Sequence, residues 1–127
     1  MTTETEHASI SVNADYIEAK GVKVYRLGVD ADGYINKEEL IRILEHNHSR
    51  CSNILVSVVW ANSETGVLQQ IPELVEISKE YGARFHSDAS QAVGRLHIDL
   101  KETGLDFLTC SGQKLHAPAG IHSSFQE

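Results

Sequence analysis

Asn53-Ile54-Leu55-Val56-Ser57-Val58-Val59-Trp60 is a nearly unbroken apolar run, with Ser57 the one polar residue inside it. A strand with one wet face alternates polar and apolar residues. A continuous run belongs to a strand covered on both faces, as in the middle of a parallel sheet. Parallel strands need crossover helices, and the flanking sequence supplies them. Downstream, Pro72 to Tyr81 predicts a helix: Pro72 suits the first helical position, Glu73 the positive end, Lys79 the negative end, and Gly82 the cap. Upstream, Lys37 to Glu45 predicts another, with Leu40, Ile41 and Leu44 on one face. Ala8 to Lys20 places Ile10, Ala14 and Ile17 at helical spacing, and Gly21 stops it. Further strands are expected at Val22–Leu27, Arg84–Ser87 and Phe107–Cys110. The fold class is α/β, a three-layer, mostly parallel sheet.

With 127 residues, one domain is the ceiling. Such a chain buries a real core only if its elements complete a sheet or bundle. The formal charge of -7 excludes nucleic acid or an anionic membrane as the main partner, because both select a positive surface. No apolar run is long enough for a membrane span. Met1 to His7 is acidic and polar, unlike a signal or transit peptide. Cys51 and Cys110 form neither a disulfide framework nor a zinc spacing, and His46, His48, His97 and His122 show no metal spacing either. No metal is expected, and the default setting is reducing and cytoplasmic.

Gly28 to Glu39 imitates a calcium loop, with Asp30, Asp32, Gly33, Ile35, Asn36 and Glu39 in register. The first ligand is missing at Gly28, and Val22–Leu27 reads as extended rather than as an entering helix. The better reading is a turn at Asp32-Gly33 and a helix cap at Asn36, with Glu39 at the capping-box position.

Polar clusters follow the strands: Asn62-Ser63-Glu64-Thr65-Gly66 after Trp60, Asp88-Ala89-Ser90-Gln91 after Ser87, and Ser111-Gly112-Gln113-Lys114 after Cys110. In open α/β sheets ligands sit at the carboxyl ends of strands, so these clusters are expected to converge on one crevice.

His86-Ser87-Asp88-Ala89-Ser90-Gln91-Ala92-Val93-Gly94, followed by Ser111-Gly112-Gln113-Lys114-Leu115-His116-Ala117-Pro118-Ala119-Gly120, resembles the core signature of cysteine desulfurases and selenocysteine lyases. These belong to the class V group of pyridoxal-phosphate aminotransferases. Trp60 to Gly66 is similar to a second motif of that family and Thr5-Glu6-His7 to a third, in the family's order, to about Ile121. The resemblance implies part of the large domain of a fold-type I enzyme over residues 1–121, then a divergent tail over 122–127. It implies pyridoxal 5′-phosphate, with Lys114 as the amine that takes its aldehyde. Asp88 would keep the pyridine nitrogen protonated, Gln91 would donate to the ring hydroxyl oxygen, and Ser111 would bind a phosphate oxygen. His7 would lie over the ring and help move protons. Taken singly, Lys114 reads as a surface lysine and Asp88 as a turn residue; only their joint occurrence at strand ends carries the functional reading.

The sequence departs from the family at Gln113, where histidine usually precedes the lysine, and at Ser63, where asparagine usually precedes the glutamate. Both are retained as candidate cofactor contacts. Ala117 stands where glycine is common. The family's phosphate-gripping loop lies upstream of the His7 motif, and its sulfur-attacking cysteine lies far downstream. Cys51 and Cys110 match neither, and Cys110 reads as a buried packing residue. The implied activity is removal of sulfur from L-cysteine, leaving alanine and an enzyme persulfide, weak or absent in this chain alone. The implied partners are a second subunit, in a homodimer, and a sulfur-acceptor protein. A selenocysteine lyase, another class V aminotransferase, or a non-catalytic piece docking on a full-length subunit stay open. The sheet is expected to lack its returning strand and to expose apolar edges.

Overall fold

A computed structural model describes residues 1–118 and 120–126. Ala119, inside the lysine motif, and Glu127, at the end of the tail, lie outside the described residues. The strands are β1 (Thr2–Thr3), β2 (Arg26–Leu27), β3 (Leu55–Val59), β4 (Arg84–Asp88), β5 (Phe107–Ser111) and β6 (His122–Gln126). The helices are α1 (Ala8–Ala19), α2 (Lys37–Asn47), α3 (Ile71–Glu80) and the single turn α4 (Leu100–Thr103).

β3, β4 and β5 run parallel in sequence order, and β6 returns antiparallel on the outer side of β5. β1 and β2 form a parallel pair that joins the β3 side through Met1, whose N donates to Leu55 O and whose O accepts from Ser57 N. The inward face of the sheet carries Val56, Val58, Phe85 and Leu108, which share one buried cluster with Leu40 and Leu44 of α2 and Ile71, Leu74 and Val75 of α3. On the opposite face, Ile10, Asn13, Ala14 and Ile17 of α1 line a groove with Leu55, Ser57 and His86. Helices α2 and α3 thus cover one face. On the other, α1 leaves a groove in which Leu55 is exposed, and β3 lies at the end of the four-stranded sheet rather than at its centre. The expected cover on both faces of that strand is therefore only partial.

Local chemistry explains the helix ends. Asn36 Oδ1 accepts from Glu39 N at 2.9 Å, the cap expected from sequence. Glu39 does not close a capping box on Asn36; its Oε2 accepts from Gly28 N at 3.0 Å and ties down the start of the loop. Asp30 Oδ1 accepts from Asp32 N and Tyr34 N, so that carboxylate is spent on the turn.

Several expectations need correction. Only Arg26 and Leu27 of the expected Val22–Leu27 strand are paired, because β1 offers just Thr2 and Thr3 to pair with. The returning strand, expected to be missing, is present: His122 to Gln126 pairs residue by residue with Ser111 to Phe107. Its polar sequence hides it, since backbone pairing at an edge needs no apolar alternation. Only Phe125 of β6 packs against the core. No helix among the described residues is long and apolar enough to cross a membrane.

Candidate active site

Parallel pairing brings the carboxyl ends of β3, β4 and β5 to one side of the molecule. Val59 is the register partner of Asp88, and Asp88 that of Thr109. Above these ends lies a cleft of about 800 Å³, and every candidate residue read from the sequence lines it: His7, Ser63, Asp88, Gln91, Ser111, Gln113 and Lys114.

Asp88 closes β4 and is buried, with Oδ1 accepting from Ser90 N at 3.0 Å. Gln91 follows in a turn closed by Ala92 N and Val93 N on Ala89 O. Its Oε1 accepts from Arg95 Nη1 at 2.9 Å, which turns the amide and leaves its N–H₂ group to donate elsewhere. Ser111 is the last residue of β5; its Oγ is buried with no hydrogen-bond partner among the described residues. Gln113 and Lys114 are exposed on a 3-10 turn over Gly112–Leu115. Gly112 packs so closely that a Cβ there would meet Ile121 O at 2.8 Å. His116 ends this turn at φ 62°, the left-handed region that side chains other than glycine adopt at a cost.

His7 is the N-cap of α1. Its Nδ1 accepts from Ser9 N at 3.1 Å, so the neutral ring carries its proton on Nε2. Ser63 is exposed. The neighbouring Asn62 is occupied: Oδ1 accepts from Glu64 N and Thr65 N, and Nδ2 donates to Thr5 O.

The sequence reading gave no role to other residues of this cleft. Glu6 was legible only as the middle of Thr5-Glu6-His7. Its Oε1 accepts from Val59 N at 2.9 Å and from Thr3 Oγ1 at 2.8 Å, while Oε2 is buried without a partner among the described residues. Burial pushes the Glu6 carboxyl up to about 7; the Val59 and Thr3 bonds pull it back, and the Asp88 charge adds to the push. Cys110, expected to be buried packing, does pack against the core cluster, but it is only half-buried and also lines the cleft. His122 of β6 lines it as well. Just below, His86 bridges Ser57 Oγ at 2.8 Å and Thr109 Oγ1 at 3.2 Å; burial lowers its pKa, opposed by the Asp88 charge.

The aminotransferase class-V family model matches residues 1–122, the span that builds both the sheet and the cleft. The chain belongs to the aminotransferase class-V family. Members of this family generally depend on pyridoxal phosphate. This class-V chain is 39% identical over 121 residues to the cysteine desulfurase NifS of Azotobacter vinelandii, covering 95% of itself and 29% of that relative. It is 44% identical over 121 residues to cysteine desulfurase 2 of Trichormus variabilis, again covering 95% of itself and 29% of the relative. Among solved structures it resembles a NifS-like protein from Rickettsia africae, with a TM-score of 0.88 and 36% identity over 97% of this chain and 32% of that one. It also resembles SspA in complex with cysteine, with a TM-score of 0.89 and 27% identity over 98% of this chain and 35% of that one. The class-V chain thus spans under a third of the length of these two cysteine desulfurases, 29% of each.

Proposed function

We propose that these residues form part of the pyridoxal-phosphate-binding large domain of a cysteine desulfurase, residues 1–121 carrying the matched motifs, and that the cleft receives the cofactor. The observation that carries this reading is the Ser111 hydroxyl, buried and without a partner among the described residues in a cleft also lined by Lys114 and Asp88. A buried unpaired hydroxyl costs free energy unless a ligand completes it, and a phosphate oxygen accepts from it. The donor set suits the whole group: an amine for an aldehyde, a carboxylate for a pyridinium, an amide N–H₂ for a phenolic oxygen.

When bound, pyridoxal phosphate supplies an aldehyde that takes up amines and a ring that accepts electrons from the adjoining carbon. The protein's own residues do the rest. Lys114 would provide the amine for the cofactor's aldehyde and, when free, a base for a substrate α-proton. Asp88 holds a proton on the ring nitrogen. Gln91, turned by Arg95, donates to the ring hydroxyl oxygen. Ser111, with Gln113 and Ser63 as neutral partners, holds the phosphate by hydrogen bonds without charge. His7, with Nδ1 engaged by the cap, moves a proton through Nε2.

The proposed substrate is L-cysteine, with selenocysteine following the same steps. The products are alanine and a sulfur passed to a cysteine thiol, then to an acceptor protein for iron–sulfur cluster assembly. Neither Cys51 nor Cys110 is assigned that thiol. A second subunit, as a homodimer, completes the proposed assembly. The test is to add pyridoxal phosphate, reduce with borohydride and map the modified lysine. Labelling at Lys114, lost in Lys114→Ala, supports the reading; labelling spread over other lysines, or none, overturns it.

A further inference from the structure

We propose that Glu6 is a proton-holding positioning residue of the cleft: it ties the loop that presents His7 to the sheet end that carries Asp88, and does so as a neutral carboxylic acid while Asp88 carries the charge. This goes beyond the cofactor reading and does not depend on it.

The geometry is specific. Glu6 lies between β1 and α1, one residue before the His7 cap, and the Asn62–Thr5 bond clamps the same loop. Its Oε1 takes both available donors, Val59 N and Thr3 Oγ1. Val59 is the strand partner of Asp88, so the two carboxyl groups are anchored to adjacent strand ends. The other oxygen, Oε2, is buried and has no donor among the described residues. As a carboxylate, Glu6 would leave a buried anionic oxygen unpaired beside a second negative group, which is costly. As an acid, it places its proton on Oε2 and keeps both bonds to Oε1; that O–H is still unpartnered among the described residues, but a neutral group costs less there than an anion.

The titratable groups lining the cleft are Glu4 and His7 from the same loop, Glu64 after β3, Asp88 on β4, Cys110 on β5, Lys114 on the following turn, and His122 on β6. Only Asp88 weighs on Glu6 by charge, and it acts in the same direction as burial, so the carboxyl sits near neutrality. Below about pH 7 this pair then holds one negative charge rather than two. Any cationic group that pairs with Asp88 relieves its repulsion and favours release of the Glu6 proton.

The test is a pH titration of glutamate side-chain carboxyl carbons by ¹³C NMR, on the intact chain without added ligand. One resonance titrating near pH 7 is expected, absent in Glu6→Gln and moved to lower pH in Asp88→Asn. The imidazole signals of His7 are expected to be preserved in Glu6→Gln, which keeps an acceptor and is neutral, and displaced in Glu6→Ala. If Glu6→Ala does not fold, the Glu6→Gln and Asp88→Asn titrations decide. No glutamate titrating above pH 6, or one that Asp88→Asn leaves in place, overturns the proposal.

Discussion

Arg95 holds Gln91 from behind: its Nη1 donates to the Gln91 side-chain oxygen at 2.9 Å and to its backbone oxygen at 3.0 Å. The guanidinium thereby chooses which end of the amide is free. Removing it lets the amide rotate, at the cost of about one charge-assisted hydrogen bond, roughly 1 kcal/mol at an exposed site. Arg95→Ala is expected to weaken pyridoxal-phosphate binding about five-fold without moving the labelled lysine. Titration by absorbance checks it, and an unchanged affinity removes Arg95 from the site.

Ser111 gives a prediction with opposite signs in two assays. Its hydroxyl is buried without a partner among the described residues, so Ser111→Ala is expected to leave stability unchanged or raise it by up to about 1 kcal/mol. The same change is expected to weaken pyridoxal phosphate about ten-fold through the lost phosphate contact. Pyridoxal without the phosphate separates the two effects: its binding is expected to be indifferent to Ser111→Ala.

Stability is expected to depend on pH through Glu6. Its folded-state value of about 7 lies above the ordinary 4.5, so the folded chain keeps a proton that the unfolded chain gives up. The contribution is fully present below about 4.5 and is lost as pH rises toward and through 7. Relative to Glu6→Gln, the wild type is expected to lose up to about 3 kcal/mol across that window. Urea midpoints at pH 5 and pH 8 for both proteins measure it; parallel curves count against the placement of Glu6.

Gly112→Ala is expected to disturb the lysine turn. A Cβ there would press on Ile121 O at 2.8 Å, Ile121 Cγ2 at 3.0 Å and Ala117 Cβ at 3.2 Å. Ile121 belongs to the segment that leads into β6, and its contact includes a backbone oxygen, so relief requires backbone movement. A loss of about 1–3 kcal/mol is expected, typical of overpacking, with reduced labelling of Lys114. Denaturant melts and peptide mapping check it.

How much of this was legible beforehand depended on the kind of signal. The β3 run was readable because Val56, Val58 and Val59 are buried, and the Asn36 and Pro72 helix starts because a side-chain cap and a first-turn proline leave local marks. The strand-end clusters were readable because topology alone carries them to one edge. β1 and β2 were not, since two-residue strands exist only through the partners they meet. β6 was not, because its pairing is a backbone matter. Glu6 was hidden for a related reason: its raised pKa comes first from burial and then from the Asp88 charge, against the pull of the Val59 and Thr3 bonds, and the fold rather than the local sequence brings Val59 and Asp88 to it. Ser111 was named as a candidate from the resemblance, but that its hydroxyl is left without a partner among the described residues is a property of the folded surroundings.

The outermost ribbon of the four-stranded sheet presents His122, Ser123, Ser124 and Gln126 to solvent, and it turns only Phe125 inward. Its outer backbone groups face away from the sheet, and no lysine, glutamate or proline interrupts His122 to Gln126, so this flank is the one on which a further strand can add.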